Sequence, residues 1–147
     1  MNLAGLNDAY FIDLKDMIKR KDVEIFVPYP SSMNTLKMGA TGLLGAEANI
    51  IPNTFRQYID QYERGDYEAM GVTYGHLQRF TQYTKRWHAG SPRWLKACFK
   101  ALGIRGQGIR EPYRHLPPDE FARFKEGLLK LGIPEVNQMA GATAGSR

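Results

Sequence analysis

Few side chains in this sequence stand where chemistry could be done. Asn7 and Asp8 follow a short apolar run, Leu3-Ala4-Gly5-Leu6, at the position where a buried strand would deliver polar groups from its C-terminal end. A carboxamide there can hydrogen-bond a ligand carbonyl or carboxylate; it can equally cap the following segment or pair with Asp8. Lys15, Lys19 and Lys37 carry the amines that a nucleophilic role would need, but their helical context makes them solvated surface. Glu47 and Asn49 follow a second apolar run and can reach a pocket. Asn49 is equally placed to cap a helix that opens near Pro52.

The remaining candidates read as structure. His76, His88 and His115 have no metal-ligand spacing with one another or with cysteine, so no metal is expected. Cys98 shares an apolar helical face with Trp94 and Leu102, which makes it core rather than a nucleophile. Tyr67, Tyr74, Phe80, Tyr83 and Trp87 could stack on bases, yet at helical spacing they read as core or subunit contact. Gly103, Gly106 and Gly108 follow a helix, not a strand, and so give little support to a phosphate loop.

The elements that must position these residues can be read from periodicity. A strand at the start leads to a helix that Asp13 can cap, running to about Lys21 with Leu14, Met17 and Ile18 inward. Val23 to Val27 is a β-rich run ended by Pro28 and Pro30. Ser31 or Ser32 can cap a short helix through Leu36 and Met38, and Leu43 to Ala46 returns to strand. Pro52 suits the first turn of a helix carrying Phe55, Tyr58, Ile59 and Tyr62, stopped by Gly65. Asp66 can cap a long helix, Ser91-Pro92 starts another that Gly103 stops, and a last helix carries Phe121, Phe124, Leu128 and Leu131. The Ala-, Gly- and Ser-rich stretch from Gln138 to Arg147 reads as a mobile tail. Alternating strand and helix implies parallel strands with right-handed crossovers. Three such strands leave two open edges that something must cover.

A chain of 147 residues, 43% of them hydrophobic, can bury a core but is short for a complete eight-stranded α/β barrel. No apolar run approaches the roughly 20 residues that span a bilayer, and no basic and apolar leader opens the chain. One cysteine excludes an internal disulfide and suits a reducing compartment, so a cytoplasmic location is expected, with no membrane partner. The net charge of +5 permits an anionic partner. Its lysines and arginines are spread along the chain, mostly at helical positions beside acids, which predicts solvated helix surface and no nucleic-acid partner.

Order and residues together resemble the dihydrodipicolinate synthase / N-acetylneuraminate lyase family of pyruvate-dependent class I aldolases. Asn2-Leu3-Ala4-Gly5-Leu6-Asn7-Asp8 is similar to that family's sixth barrel strand, Val23 to Val27 to the seventh, and Gly39 to Asn49 to the eighth-strand pattern. Ser91-Pro92 with Leu95-Lys96-Ala97-Cys98 and Leu102-Gly103 looks like its proline-started helix ending in Leu-Gly. Arg110-Glu111-Pro112-Tyr113 resembles the Arg-x-Pro that precedes its final helix. The match runs from about residue 2 to 133, which corresponds to the C-terminal half of a family barrel.

The resemblance implies an α/β fold: a partial TIM (β/α)8 barrel, its sixth to eighth βα units in residues 1–65, then a C-terminal helical extension in residues 66–137, with 138–147 as tail. It implies lyase chemistry on 2-oxo acids such as pyruvate, carried by a Schiff-base lysine without a cofactor. Asn7 stands at the position matching that lysine, and a carboxamide, with its nitrogen lone pair delocalised, forms no imine. The family's acid/base tyrosine and its carboxylate site belong to the half that is absent, so no catalytic residue is assigned. Asn7, Tyr29 (where the family's seventh strand lines the pocket) and Leu44 (at the apolar eighth-strand position) are the expected substrate-binding residues. A truncated or degenerate member is therefore expected, inactive alone, with a homo-oligomer or a partner chain completing the barrel around a 2-oxo acid. The alternative is a non-catalytic interaction protein that joins oligomers of a full-length paralogue.

Overall fold

In the computed structural model, the chain is described at residues 8–18, 20, 22–29, 32–87 and 92–144. The expected first strand, with Asn7 at its tip, lies outside these residues, as do Lys19 and His88. The chain divides into two compact units, Met1–Ala46 and Glu47–Arg147.

The first unit opens with α1 (Asp8–Met17), which starts earlier than the expected cap at Asp13 and ends short of Lys21. The reason lies in its apolar stripe. Phe11 is fully buried and Leu14 and Ile18 are half-buried, so the face repeats at three- and four-residue steps from Phe11. Met17, expected inward, lies about a quarter-turn off that stripe and is 77% exposed. Asp8 in the first turn and Lys15 in the last both suit the helix dipole. The Lys15 ammonium also donates to the carbonyl of Met38.

Two parallel strands follow, β1 (Phe26–Pro28) and β2 (Gly42–Leu44), in the register Phe26 to Gly42, Val27 to Leu43 and Pro28 to Leu44. Each differs in position from the sequence reading. Val23 to Ile25 precede β1, and Ile25 is held to Thr41 by a backbone bond, the Thr41 N–H donating to the Ile25 carbonyl at 2.9 Å, together with the Thr41 side chain. Its hydroxyl accepts from the Ile25 N–H at 2.8 Å and donates to the Ile25 carbonyl at 3.1 Å. Pro28, expected to end the run, is instead its last paired residue, a position where a missing N–H is tolerated. Between the strands, α2 (Ser32–Lys37) begins with a buried serine whose hydroxyl donates to the Tyr29 carbonyl at 2.5 Å. Gly39, at φ 97°, provides the left-handed turn back to β2. Phe11, Ile25 and Val27 form the core, with Ile18, Val23, Met38, Ala40 and Leu43 packed on it. The expected α/β pattern of parallel strands joined by a helix is present as this small sheet.

A short 3₁₀ turn at Ala46–Asn49 spans the division, and the described residues of the second unit are then helical: α3 (Pro52–Glu63), α4 (Tyr67–Lys85), α5 (Arg93–Ala101), α6 (Pro118–Leu129) and α7 (Pro134–Ala144). Asp66 caps α4, its carboxylate accepting from the Ala69 N–H at 3.2 Å, and Gly65 and Gly103 adopt positive φ after α3 and α5. Tyr83, Trp87 and Phe124 pack with ring centroids 5.7 to 6.5 Å apart, and the Tyr83 hydroxyl donates to the Phe124 carbonyl at 2.9 Å. A Cβ at residue 127 would overlap the Tyr83 phenol, so α6 requires Gly127 there. The aromatic stripe is thus core along most of its length; Tyr67 alone of the five is largely open, at 49% exposure. The segment read as a tail from Gln138 enters α7, which is anchored by the fully buried Ile133 and Val136.

Candidate functional site

In the first unit, the parallel register brings two of the three expected binding residues to one end of the sheet. Tyr29 directly follows Pro28, and Pro28 is paired with Leu44, so both sit at the C-terminal ends of adjacent strands. That is the end at which barrel enzymes build their sites. The two residues differ in access. Tyr29 is 1% exposed, while Leu44 is 47% exposed and open to a ligand or a further strand. Tyr29 is held in place by the Ser32 hydroxyl, which donates to its carbonyl. Asn7, the third, lies outside the described residues. Its neighbour Asp8 accepts from the Asn34 amide at 2.7 Å, tying the start of α1 to α2. Lys15 and Lys37 are both exposed, and Lys15 is committed to the end of α2.

The second unit holds a polar cleft that the sequence reading missed. Its centre is Glu135 on α7, 8% exposed. One carboxylate oxygen accepts from the Asn53 N–H at 3.0 Å. The other accepts from the Thr54 N–H at 2.7 Å and the Thr54 hydroxyl at 2.6 Å. These are free donors of the first turn of α3, whose own preceding residue, Ile51, supplies no side-chain cap. A space of about 190 Å³ lies beside the carboxylate, lined by Asn53, Gln57, His76 and Gln138. It adjoins a more apolar groove of about 410 Å³ bounded by Ile50, Ile104, Met139 and Ala142. Burial, with Arg79 nearby, pushes the His76 imidazole below its usual range. Only the Pro134-Glu135 start of α7 could have signalled this, and it says nothing of a partner in α3.

The other candidates fall into structural roles. Glu47 accepts from the Thr81 hydroxyl at 2.9 Å within the second unit. Burial, and secondarily Glu47, push the Cys98 thiol far up, so it stays protonated and is no nucleophile. Among the described residues, no three His, Cys, Asp or Glu side chains gather as a metal site would require. No helix among them is long and apolar enough to cross a membrane.

Comparison with known proteins bears on the whole chain. A family model described as the dihydrodipicolinate synthetase family matches residues 10–130. A curated relative, a 4-hydroxy-tetrahydrodipicolinate synthase of Chlorobium phaeobacteroides (strain BS1), is 24% identical over 98 residues, covering 67% of this chain and 32% of its own. Among solved structures, a monomeric dihydrodipicolinate synthase variant superposes with a TM-score of 0.72 at 16% identity, over 88% of this chain and 43% of its own. A second dihydrodipicolinate synthase gives 0.65 at 17% identity, over 85% and 43%. The chain thus spans about a third of the curated relative it matches, and its fold is that of part of these structures.

Proposed function

Because the chain belongs to the dihydrodipicolinate synthetase family, we propose that it is a lyase-family member without Schiff-base activity of its own, contributing one wall of a 2-oxo acid pocket. The wall comprises Asn7, Tyr29 and Leu44, within residues 1–65 read as the sixth to eighth barrel units; residues 66–137 are the helical extension. The observation that supports this reading is the register of β1 with β2, which pairs Pro28, the residue before Tyr29, with Leu44 at the C-terminal strand ends. Tyr29 gives a buried, rigid surface and Leu44 an open apolar one, suited to the methyl and carbonyl of a small 2-oxo acid such as pyruvate. Imine chemistry requires a free amine, and the Asn7 carboxamide has none. The pocket is closed by strands from elsewhere, either a second copy or a chain that supplies the first barrel half.

The test uses Asn7→Lys. In a folded assembly with the first half of a full-length relative, pyruvate and borohydride should leave a stable adduct on residue 7, located by peptide mass spectrometry. The unsubstituted chain in the same assembly should leave none. An adduct on the unsubstituted chain would show that another amine serves, and none on the variant would mean the first strand is misplaced.

A second reading is favoured by the second unit, whose helices enclose a core of their own. There the chain is an interaction protein that joins oligomers of a full-length paralogue. Co-purification with that paralogue supports it; a clean monomer that takes up no paralogue counts against it.

A further inference from the structure

We infer that the face formed by α5 and the segment 103–116 docks an acidic segment of a protein partner. This inference concerns the second unit alone and is independent of the barrel pocket. Between Arg93 and Arg114 stand six cations and a single acid, Glu111, leaving +5, which equals the formal net charge of the whole chain. The rest of the sequence is therefore balanced. On α3 and α6 the balance is local: Arg56 pairs with Asp60 at 2.7 Å, Arg123 with Asp119 at 3.6 Å and Lys130 with Glu126 at 2.6 Å. α5 has no acid, and its Arg93, Lys96 and Lys100 recur at three and four residues along one stripe.

The loop after α5 is stapled to that stripe. Arg93 donates through Nε to the Arg114 carbonyl at 2.7 Å, and the Lys96 ammonium donates to the Gly106 carbonyl. Both bonds are to backbone, so they leave the charge unneutralised while fixing the loop along α5. Arg105, Arg110 and Arg114 are then exposed on a held loop, and none has an acidic partner among the described residues. Tyr113, between two of these arginines in sequence, is 44% exposed.

The rings decide between polyanions. The Lys96 ammonium lies 5.2 Å from the Phe99 centroid and that of Lys100 lies 4.6 Å from Phe121, so both rings are covered by cations. That leaves Tyr113 as the open ring among the three, whereas a single-stranded nucleic acid stacks successive bases on several. Exposed arginines around a tyrosine are instead the composition of a protein-docking surface, and guanidinium forks fit carboxylates in pairs.

The experiment is fluorescence anisotropy of a labelled oligoglutamate peptide on the full chain at low salt. Binding is expected that weakens steeply with added salt. The triple variant R105S/R110S/R114S should lose about tenfold or more in affinity, while Arg123→Ser on α6 should change it less than about twofold. Superposable melting curves would exclude unfolding as the cause. Should the triple variant melt early, the single Arg110→Ser should still lose several-fold by the same argument. No peptide binding, or binding that the arginine variants leave intact, would overturn the assignment. So would an oligodeoxynucleotide of matched charge that binds more tightly through the same arginines.

Discussion

At Gly42 a single hydrogen atom decides whether two strands can meet. Gly42 is paired with Phe26, and a Cβ built on it would stand 2.5 Å from the Phe26 ring. Gly42→Ala should therefore cost about 1–3 kcal/mol through overpacking, read as a shift in denaturant midpoint. Adding Phe26→Val should recover part of that loss. Strictly additive losses in the double variant would mean that the ring contact is not the cause. The sequence marks Gly42 as a turn-side glycine before a strand, but the ring beneath it belongs to the other strand and has no sequence signature. The same limit applies to Tyr29 and Leu44. Both were singled out by resemblance to the family's seventh and eighth strands, and the apolar run at Leu43 to Ala46 did not mark Leu44 as a strand end. That one is buried and the other open follows from packing, which no local pattern records. Asp66 shows the opposite case, because a side-chain cap acts within three residues and is visible in the sequence.

Among the elements, α3 depends on α7. The Glu135 carboxylate satisfies two backbone N–H groups and a hydroxyl at the start of a helix that has no cap of its own. Glu135→Gln should destabilise the chain by about 1–3 kcal/mol, since an amide keeps one acceptor and turns two donors toward donors. Hydrogen exchange should quicken first at Asn53 and Thr54. Equal protection in the variant would show that water satisfies these groups equally well. The long helices were legible: Pro52, Gly65, Asp66 and Gly103 punctuate them locally. α1 was misjudged by its cap, since Asp13 lies inside the helix and only the burial of Phe11 sets the frame. α7 was missed because its Ala- and Gly-rich end lacks a stripe, while its anchors, Ile133 and Val136, stand before the segment read as tail.

For the whole molecule, the division at Ala46 and Glu47 differs from the boundary at residue 65 drawn from barrel units. α3 counts as a barrel helix by order, yet it shares a compact unit with α4 to α7. A chain of residues 47–147 alone should melt cooperatively by circular dichroism with its helical signal retained, because it carries its own core. A broad, non-cooperative melt would mean that this unit needs residues 1–46. Among its described residues the first unit has a two-stranded sheet, an arrangement that is marginal without further packing. Family membership was legible because it rests on the order of many weak segments. The basic face was not, because the sequence shows where the charges are but not that the loop folds back along α5.

The bond between Glu135 and the start of α3 joins residues 81 apart in the chain. A ribosome adding about 5 to 20 residues per second makes Thr54 roughly 4 to 16 seconds before Glu135 exists. Throughout that interval the first turn of α3 presents its open amides to water or to whatever else is near. Completion of the last helix closes it. A product lost short of Glu135 would carry an α3 whose first turn stays open.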